Sequence, residues 1–407
     1  MKALILCVGD EVLSGRVVNT NASFLASELE KLGIETIKHI VIGDNEKNLR
    51  KEIEDFIKSD IDIVFTTGGL GPTHDDFTKE VICDEFNLEM ELKEVAYNTL
   101  VKYFGDNFAK SNIKQAYFPK DSIVLPNPEG TAHGCIVDVG KKKIIMLVGP
   151  PFENTVMYDL GVKPYLERIT KDKFLIKEYT IMGIGESRIE DYLEDFFKKY
   201  KEIGVNPYCS LGKIRYQITA NLDKKDRFDE CVSEFERLMD EYIVSKDNEL
   251  VEEVVVKMLK KLGYTISFTE SITGGMLAST LINVSGSSDV IKESLVTYSD
   301  EAKIKYLKVK KETIEKYNVA SMEVSREMAD GLFELTGSDV CVATTGIAGP
   351  TGGLENKPVG LCCYTIKVRD TYLTKEKVFK GSRNQVRLRA TMYVLYELYK
   401  ILREKKQ

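Results

Sequence analysis

A chain of 407 residues with 43% hydrophobic and 30% charged residues has material for two or three packed cores and the balance of a soluble globular protein. Its formal net charge of −7 provides no overall basic surface for a phosphate backbone, which argues against nucleic acid as a partner. The apolar run Ala3 to Val8 is too short for a secretion signal, and no later run reaches the roughly 18 apolar residues of a membrane span, so a cytoplasmic protein away from membranes is expected.

In chain order, strand-like Ala3 to Val8 is followed by a helix over Ala22 to Lys31, a strand over Thr36 to Ile42, a helix over Lys47 to Lys58 and a strand over Asp62 to Thr67. In the second helix Leu49, Ile53, Phe56 and Ile57 share one face, which is helical periodicity. This alternation predicts a parallel sheet with ligands bound beyond the carboxyl ends of its strands, where the loops at Gly9, Gly43 and Gly68 fall. Around Lys171 the composition becomes more charged. A strand over Phe174 to Met182, a helix over Arg188 to Lys199, a period-two run Ile214 to Ala220 and a helix with Phe228, Val232, Phe235, Leu238, Met239 and Tyr242 on one stripe predict a small α+β module. The third part opens with a helix carrying Val251, Val254, Val255, Met258, Leu259 and Leu262, and closes with a helix over Gln385 to Arg403. The divisions are 1–170, 171–246 and 247–407. Eight cysteines without a Cys-x-x-Cys pair read as buried free thiols.

Two stretches carry chemistry. In Phe268-Thr-Glu-Ser-Ile-Thr-Gly-Gly275 a serine sits between a strand (Tyr264 to Phe268) and a helix (Met276 to Ile282), where unpaired N–H groups suit an anion or a developing oxyanion; a simple helix cap is the other reading. The three histidines, His39, His74 and His133, all lie far upstream of Ser271, so a Ser-His-Asp triad within this domain is excluded and the base is some other group. Lys303 is a candidate if burial depresses its pKa, and otherwise a solvated helix lysine. Near the other end, Thr66-Thr-Gly-Gly-Leu-Gly-Pro-Thr73 lacks the Gly-Lys-Ser/Thr ending of a P-loop, yet offers the amides of Gly68, Gly69 and Gly71 to a pyrophosphate. Glu11, Asp44, Asp75 and Asp76 gather at the same sheet edge, which suggests a hard divalent ion; helix capping accounts for Asp75 and Asp76 equally well.

The segment containing Ser271, with Val296-Thr-Tyr-Ser-Asp-Glu-Ala-Lys303, Val342-Ala-Thr-Thr-Gly-Ile-Ala-Gly-Pro-Thr-Gly-Gly353 and Lys357-Pro-Val-Gly360, resembles the C-terminal domain of the CinA family, the nicotinamide mononucleotide amidases. Val8 to Gly15, Asn19 to Ala22, Thr66 to Asp76 and Asn127 to Ala132 resemble the N-terminal CinA domain, related to molybdopterin-binding proteins, so the likeness covers nearly the whole chain. It implies a molybdopterin-binding-like three-layer parallel-sheet domain, a small α+β middle domain and a C-terminal α/β amidase domain. It also implies a Ser-Lys mechanism with Ser271 as nucleophile, Lys303 as base and Tyr298 orienting lysine or substrate. Glu270, Thr273, Gly274, Gly275, Thr345, Gly346, Gly349, Arg383 and Arg387 then contact the ligand, with the Gly274 and Gly275 amides on the oxyanion.

For the N-terminal domain the resemblance implies a metal-dependent ADP-ribose pyrophosphatase, with Asp44, Asp76 and Glu11 for the metal and Asn127, Gly130 and Thr131 for the ligand. The amidase site requires no cofactor, and the family suggests a homodimer. The other reading is a nucleotide- or pterin-binding regulatory protein linked to competence or DNA damage. Two departures from the family are Ile272, where cysteine is common, and Leu147-Val-Gly-Pro-Pro151, where Leu-Pro-Gly-Pro-Pro is usual.

Overall fold

The computed structural model describes residues 1–105, 108–170, 174–210 and 212–405. The chain forms two compact units, Met1–Phe174 with Asn221–Asp223, and Leu175–Ala220 with Lys224–Gln407. The expected start of the middle module at Lys171 lies outside the described residues.

In the first unit Lys2–Val8 runs parallel to Glu35–Ile42 on one side and to Ile63–Thr67 on the other, and Lys142–Leu147 extends the parallel run. Apolar strands buried on both faces are the usual basis of such a sheet: all five residues of Ile63–Thr67 are buried. The helix Glu46–Lys58 starts where the Asn45 side chain accepts the Asn48 N–H, and it turns Leu49, Ile53 and Phe56 into the core. The sheet is mixed rather than wholly parallel. Gly134–Val139 and Ile123–Leu125 close it as antiparallel strands, because residues 134–147 fold as a tight hairpin with no crossover helix. Past the carboxyl ends of the parallel strands lie the loops at Gly9, Gly43, Gly68 and Val148.

In the second unit a four-stranded sheet runs in the order Gly204–Ser210, Lys213–Asn221, Phe174–Ile181, Ile243–Ser245. The one helix expected over 188–199 is two, Glu186–Tyr192 and Glu194–Lys199, joined at Leu193. A second sheet has the order Ile291–Val296, Ile266–Glu270, Val340–Gly346, Leu361–Val368, Thr371–Val378. Its first three strands are parallel and its last two antiparallel. Along Val340–Gly346 the pleat sends Val340 and Val342 to a core with Phe268, Leu259 and Leu395, and Cys341 and Ala343 to one with Leu307, Met328 and Leu332.

Two contacts position the rest. The 23-residue helix Arg383–Lys405 packs its far half against the middle module, where the Tyr399 hydroxyl donates to the Ile243 carbonyl at 2.9 Å and Arg403 pairs with Asp240 at 2.8 Å. Gly183 lies so close to Tyr396 that a Cβ there would stand 2.4 Å from the phenol oxygen. On the opposite face of the sheet, Gly331 in the helix Met322–Thr336 meets the end of the helix Asp300–Leu307, and an added Cβ would fall 1.9 Å from the Leu307 carbonyl oxygen. No flexible side chain is there to yield, so Gly331→Ala forces the 300–307 helix away from the sheet. We expect a loss of about 1–3 kcal/mol in stability, read as a lowered Tm in thermal unfolding.

Candidate functional site

The strand Ile266–Glu270 delivers Ser271 to the sheet edge, where Gly274 (φ 59°) and Gly275 (φ 91°) turn the chain into the helix Met276–Ile282. Ser271 is 8% exposed. The helix Asp300–Leu307 starts at Ser299, whose hydroxyl accepts the Ala302 N–H at 3.1 Å, and carries Lys303 inward to full burial. The Lys303 amine lies 3.2 Å from Ser271 Oγ, 2.9 Å from the Thr297 carbonyl and 3.2 Å from the Tyr298 carbonyl. Among the described residues no carboxylate pairs with it. Burial pushes its pKa below the ordinary lysine value, and the charges of Asp300 and Glu301 oppose that shift without reversing it. A neutral amine has two N–H groups and one lone pair. With the N–H groups on the two carbonyls, the lone pair is left for the Ser271 O–H.

These residues line a cavity of about 270 Å³ together with Tyr298, Thr345, Gly346, Gly349 and Arg383. Arg383 donates to the Gly349 carbonyl at 2.7 Å and to the Tyr298 hydroxyl at 3.0 Å, joining two loops of the rim. Tyr298 therefore touches Lys303 through its backbone, while its ring stays 64% exposed.

Two expectations are corrected. Glu270 does not face the cavity: it is fully buried, and its carboxylate accepts the N–H groups of Gly275 at 2.9 Å and of Leu277 and Ala278 at 3.0 Å, as a charged cap on the helix that follows. The Gly275 amide is thus already engaged and cannot serve an oxyanion. Ser271's own N–H is also taken, by the Thr344 carbonyl at 2.9 Å. The amides of Ile272, Thr273 and Gly274 have no acceptor among the described residues, and Ile272 lines the cavity. Thr273 and Arg387 lie behind the turn: the Thr273 hydroxyl bonds Thr344 and Arg387 donates to the Thr273 carbonyl at 3.0 Å. Sequence reasoning passed over Asp300 and Val319 on the cavity wall; Asp300 had a local signal, three residues before Lys303 on the same helix, and Val319 had none.

In the first unit a cavity of about 370 Å³ is lined by Glu11, Asp44, Gly68, Gly69, Gly71, Asp75, Asp76 and Thr131, and also by Val148, Gly149 and Glu153, which were not anticipated. Asn127 and Gly130 stand behind it. The buried Asn127 amide donates to the Ala132 carbonyl at 2.7 Å and to Glu153 at 2.8 Å, and so holds the loop and the Glu153 carboxylate. Asp44 accepts the Asp10 N–H at 3.0 Å, and Asp76 accepts the Thr73 N–H at 2.9 Å. Desolvation, then the charges of Asp10, Glu11 and Asp75, raise the Asp44 pKa above the usual carboxylate value, against the pull of the Asp10 backbone bond. Among the described residues no three His, Cys, Asp or Glu side chains converge as a ready ligand set for a metal. No described helix is long and apolar enough to cross a membrane.

A mixed, largely parallel sheet with a cavity at its strand ends, followed by a second α/β domain, defines a multidomain α/β protein. Family models agree: "Probable molybdopterin binding domain" matches residues 4–168, "Damage-inducible protein CinA KH domain" residues 177–245 and "CinA C-terminal domain" residues 248–402. A relative in Clostridium botulinum (strain Kyoto / Type A2), named for competence-damage induction, is 42% identical over 95% of this chain and 96% of its own. One in Alkaliphilus oremlandii with the same name is 40% identical over 97% of each. The solved structure of a CinA protein from Thermoplasma acidophilum, titled as of unknown function, shares 32% identity, covering 40% of this chain and 96% of that one, with a TM-score of 0.38. The chain belongs to the CinA family of competence-damage inducible proteins.

The KH match was not foreseen, although the strand-helix-helix-strand-strand-helix order of residues 174–239 was the available signal. The two helices of this module meet at Leu193 without the Gly-x-x-Gly loop by which KH domains clamp a nucleic-acid backbone, and Glu186, Glu190, Asp191, Glu194 and Asp195 surround the junction.

Proposed function

We propose that the C-terminal domain is a serine amidase acting on the carboxamide of nicotinamide mononucleotide. The observation that carries this reading is the 3.2 Å approach of a fully buried amine without a carboxylate partner to a serine hydroxyl at a cavity wall. Lys303, neutral, takes the Ser271 proton as Oγ attacks the carboxamide carbon. The oxyanion is met by amides that the turn leaves unpaired, Ile272 first among them. Lys303 passes its proton to the departing nitrogen, ammonia leaves, and water hydrolyses the acyl ester to the pyridine carboxylate. Arg383 and the amides of Ala348, Gly349, Thr351 and Gly352 suit the phosphate and ribose.

Ser271→Ala is expected to abolish ammonia release, a fall of at least about 10³-fold in kcat, with the Tm held within a few degrees. Unchanged turnover removes Ser271 from the chemistry. Because the base works unprotonated and its pKa is lowered by burial, kcat/KM should rise with pH along an acid limb set by Lys303, below the ordinary value of 10.5. An acid limb at the ordinary lysine value contradicts a desolvated base.

For the N-terminal domain we propose a metal-assisted pyrophosphatase acting on ADP-ribose. The carboxylates of Asp44, Asp76 and Glu11 fit a small divalent ion that keeps waters and takes its remaining ligands from the substrate, since such an ion needs only one or two protein carboxylates. When bound, that ion would neutralise phosphate charge; the Gly69 and Gly71 amides and Thr131 suit the pyrophosphate, whereas the Gly68 N–H, expected to serve it, is already taken by the Leu147 carbonyl at 3.0 Å. AMP release from ADP-ribose should depend on added divalent metal, and Asp44→Asn should raise the metal concentration needed at least about tenfold while ammonia release by the other domain is unchanged. Absence of AMP with every metal tried leaves this cavity as a binding site alone.

A further inference from the structure

The cavity beside Ser271 has three charged groups on its wall, Asp300, Lys303 and Arg383. Lys303 acts in its neutral form. Arg383 is held by the Gly349 carbonyl and the Tyr298 hydroxyl. Asp300 differs from both: its carboxylate makes no hydrogen bond or ion pair with any described residue. Nor does the helix it begins need it as a cap, since Ser299 fills that position by accepting the Ala302 N–H. An unpaired carboxylate on the wall of a small cavity beside the nucleophile is a selective element for whatever charge the ligand brings there.

Resting on the amidase reading, we propose that Asp300 is a specificity determinant of this site, the counter-ion for a fixed positive charge on the ring that bears the scissile carboxamide. The substrate class is then a quaternised heteroaromatic carboxamide ribotide rather than carboxamides in general. The product keeps the ring's positive charge but carries a carboxylate where the neutral amide stood, so the same group holds the product less tightly than the substrate.

The test is ligand binding by calorimetry in the full-length Ser271→Ala protein, with and without Asp300→Asn. Three probes are used: nicotinamide mononucleotide, its neutral isostere benzamide riboside 5′-phosphate, and nicotinate mononucleotide. With Asp300 replaced, the cationic carboxamide should bind about tenfold more weakly, the neutral isostere should change less than about twofold, and nicotinate mononucleotide, whose ring stays cationic beside its carboxylate, should lose less than the cationic carboxamide does. Equal losses for the cationic and neutral ligands show a purely structural role and overturn the proposal, as does an unaltered preference among the three. Failure of the wild-type protein to release ammonia from nicotinamide mononucleotide defeats the amidase reading instead, and that outcome is read in a separate turnover assay.

Discussion

The C-terminal domain is organised around one buried amine. An ammonium group that loses its water at full burial is costly unless something replaces the hydration, and Lys303 finds two backbone carbonyls and one hydroxyl but no carboxylate. Those three oxygens satisfy a neutral amine as well as they satisfy a charged one, so burial tips the balance toward the form that can accept a proton. The backbone carbonyls of Thr297 and Tyr298 hold the amine, and they are fixed because Ser299 starts the helix that returns Lys303 to them.

Holding the serine is a separate task. Glu270 ends its strand beneath the sheet edge and collects three N–H groups from the helix that follows, so the turn between them is fastened at both ends. Arg387 secures the same turn from behind through the Thr273 carbonyl. Ser271 and Lys303 thus arrive on different elements, 32 residues apart, and meet where Gly331 lets one helix settle against another.

Much of this was readable in the chain. The strand-turn-helix around Ser271, the inward face of the helix at 46–58 and the gathering of Glu11, Asp44 and Asp76 at one sheet edge follow from periodicity and from the rule that parallel sheets bind at their carboxyl ends. Glu270 as a ligand contact came from the resemblance alone; a carboxylate at a strand end can turn into the cavity or under the helix, and only the packed backbone decides which. Val319 became a wall residue through tertiary proximity, which leaves no local trace, whereas Asp300 stands three residues before Lys303 on one helix. The antiparallel edge of the first sheet was missed for a simpler reason: short apolar runs do not report strand direction.

The long terminal helix joins two neighbourhoods that are otherwise apart in sequence. Its first residue, Arg383, reaches the rim of the Ser271 cavity, while Tyr396 and Tyr399, stacked at 6.2 Å, lie against the middle module about four turns further on. The middle module is therefore the roof over one end of that helix as well as a connector. A protein truncated to its last domain would lose the Ile243 carbonyl that accepts from the Tyr399 hydroxyl and the Gly183 backbone that lies against Tyr396.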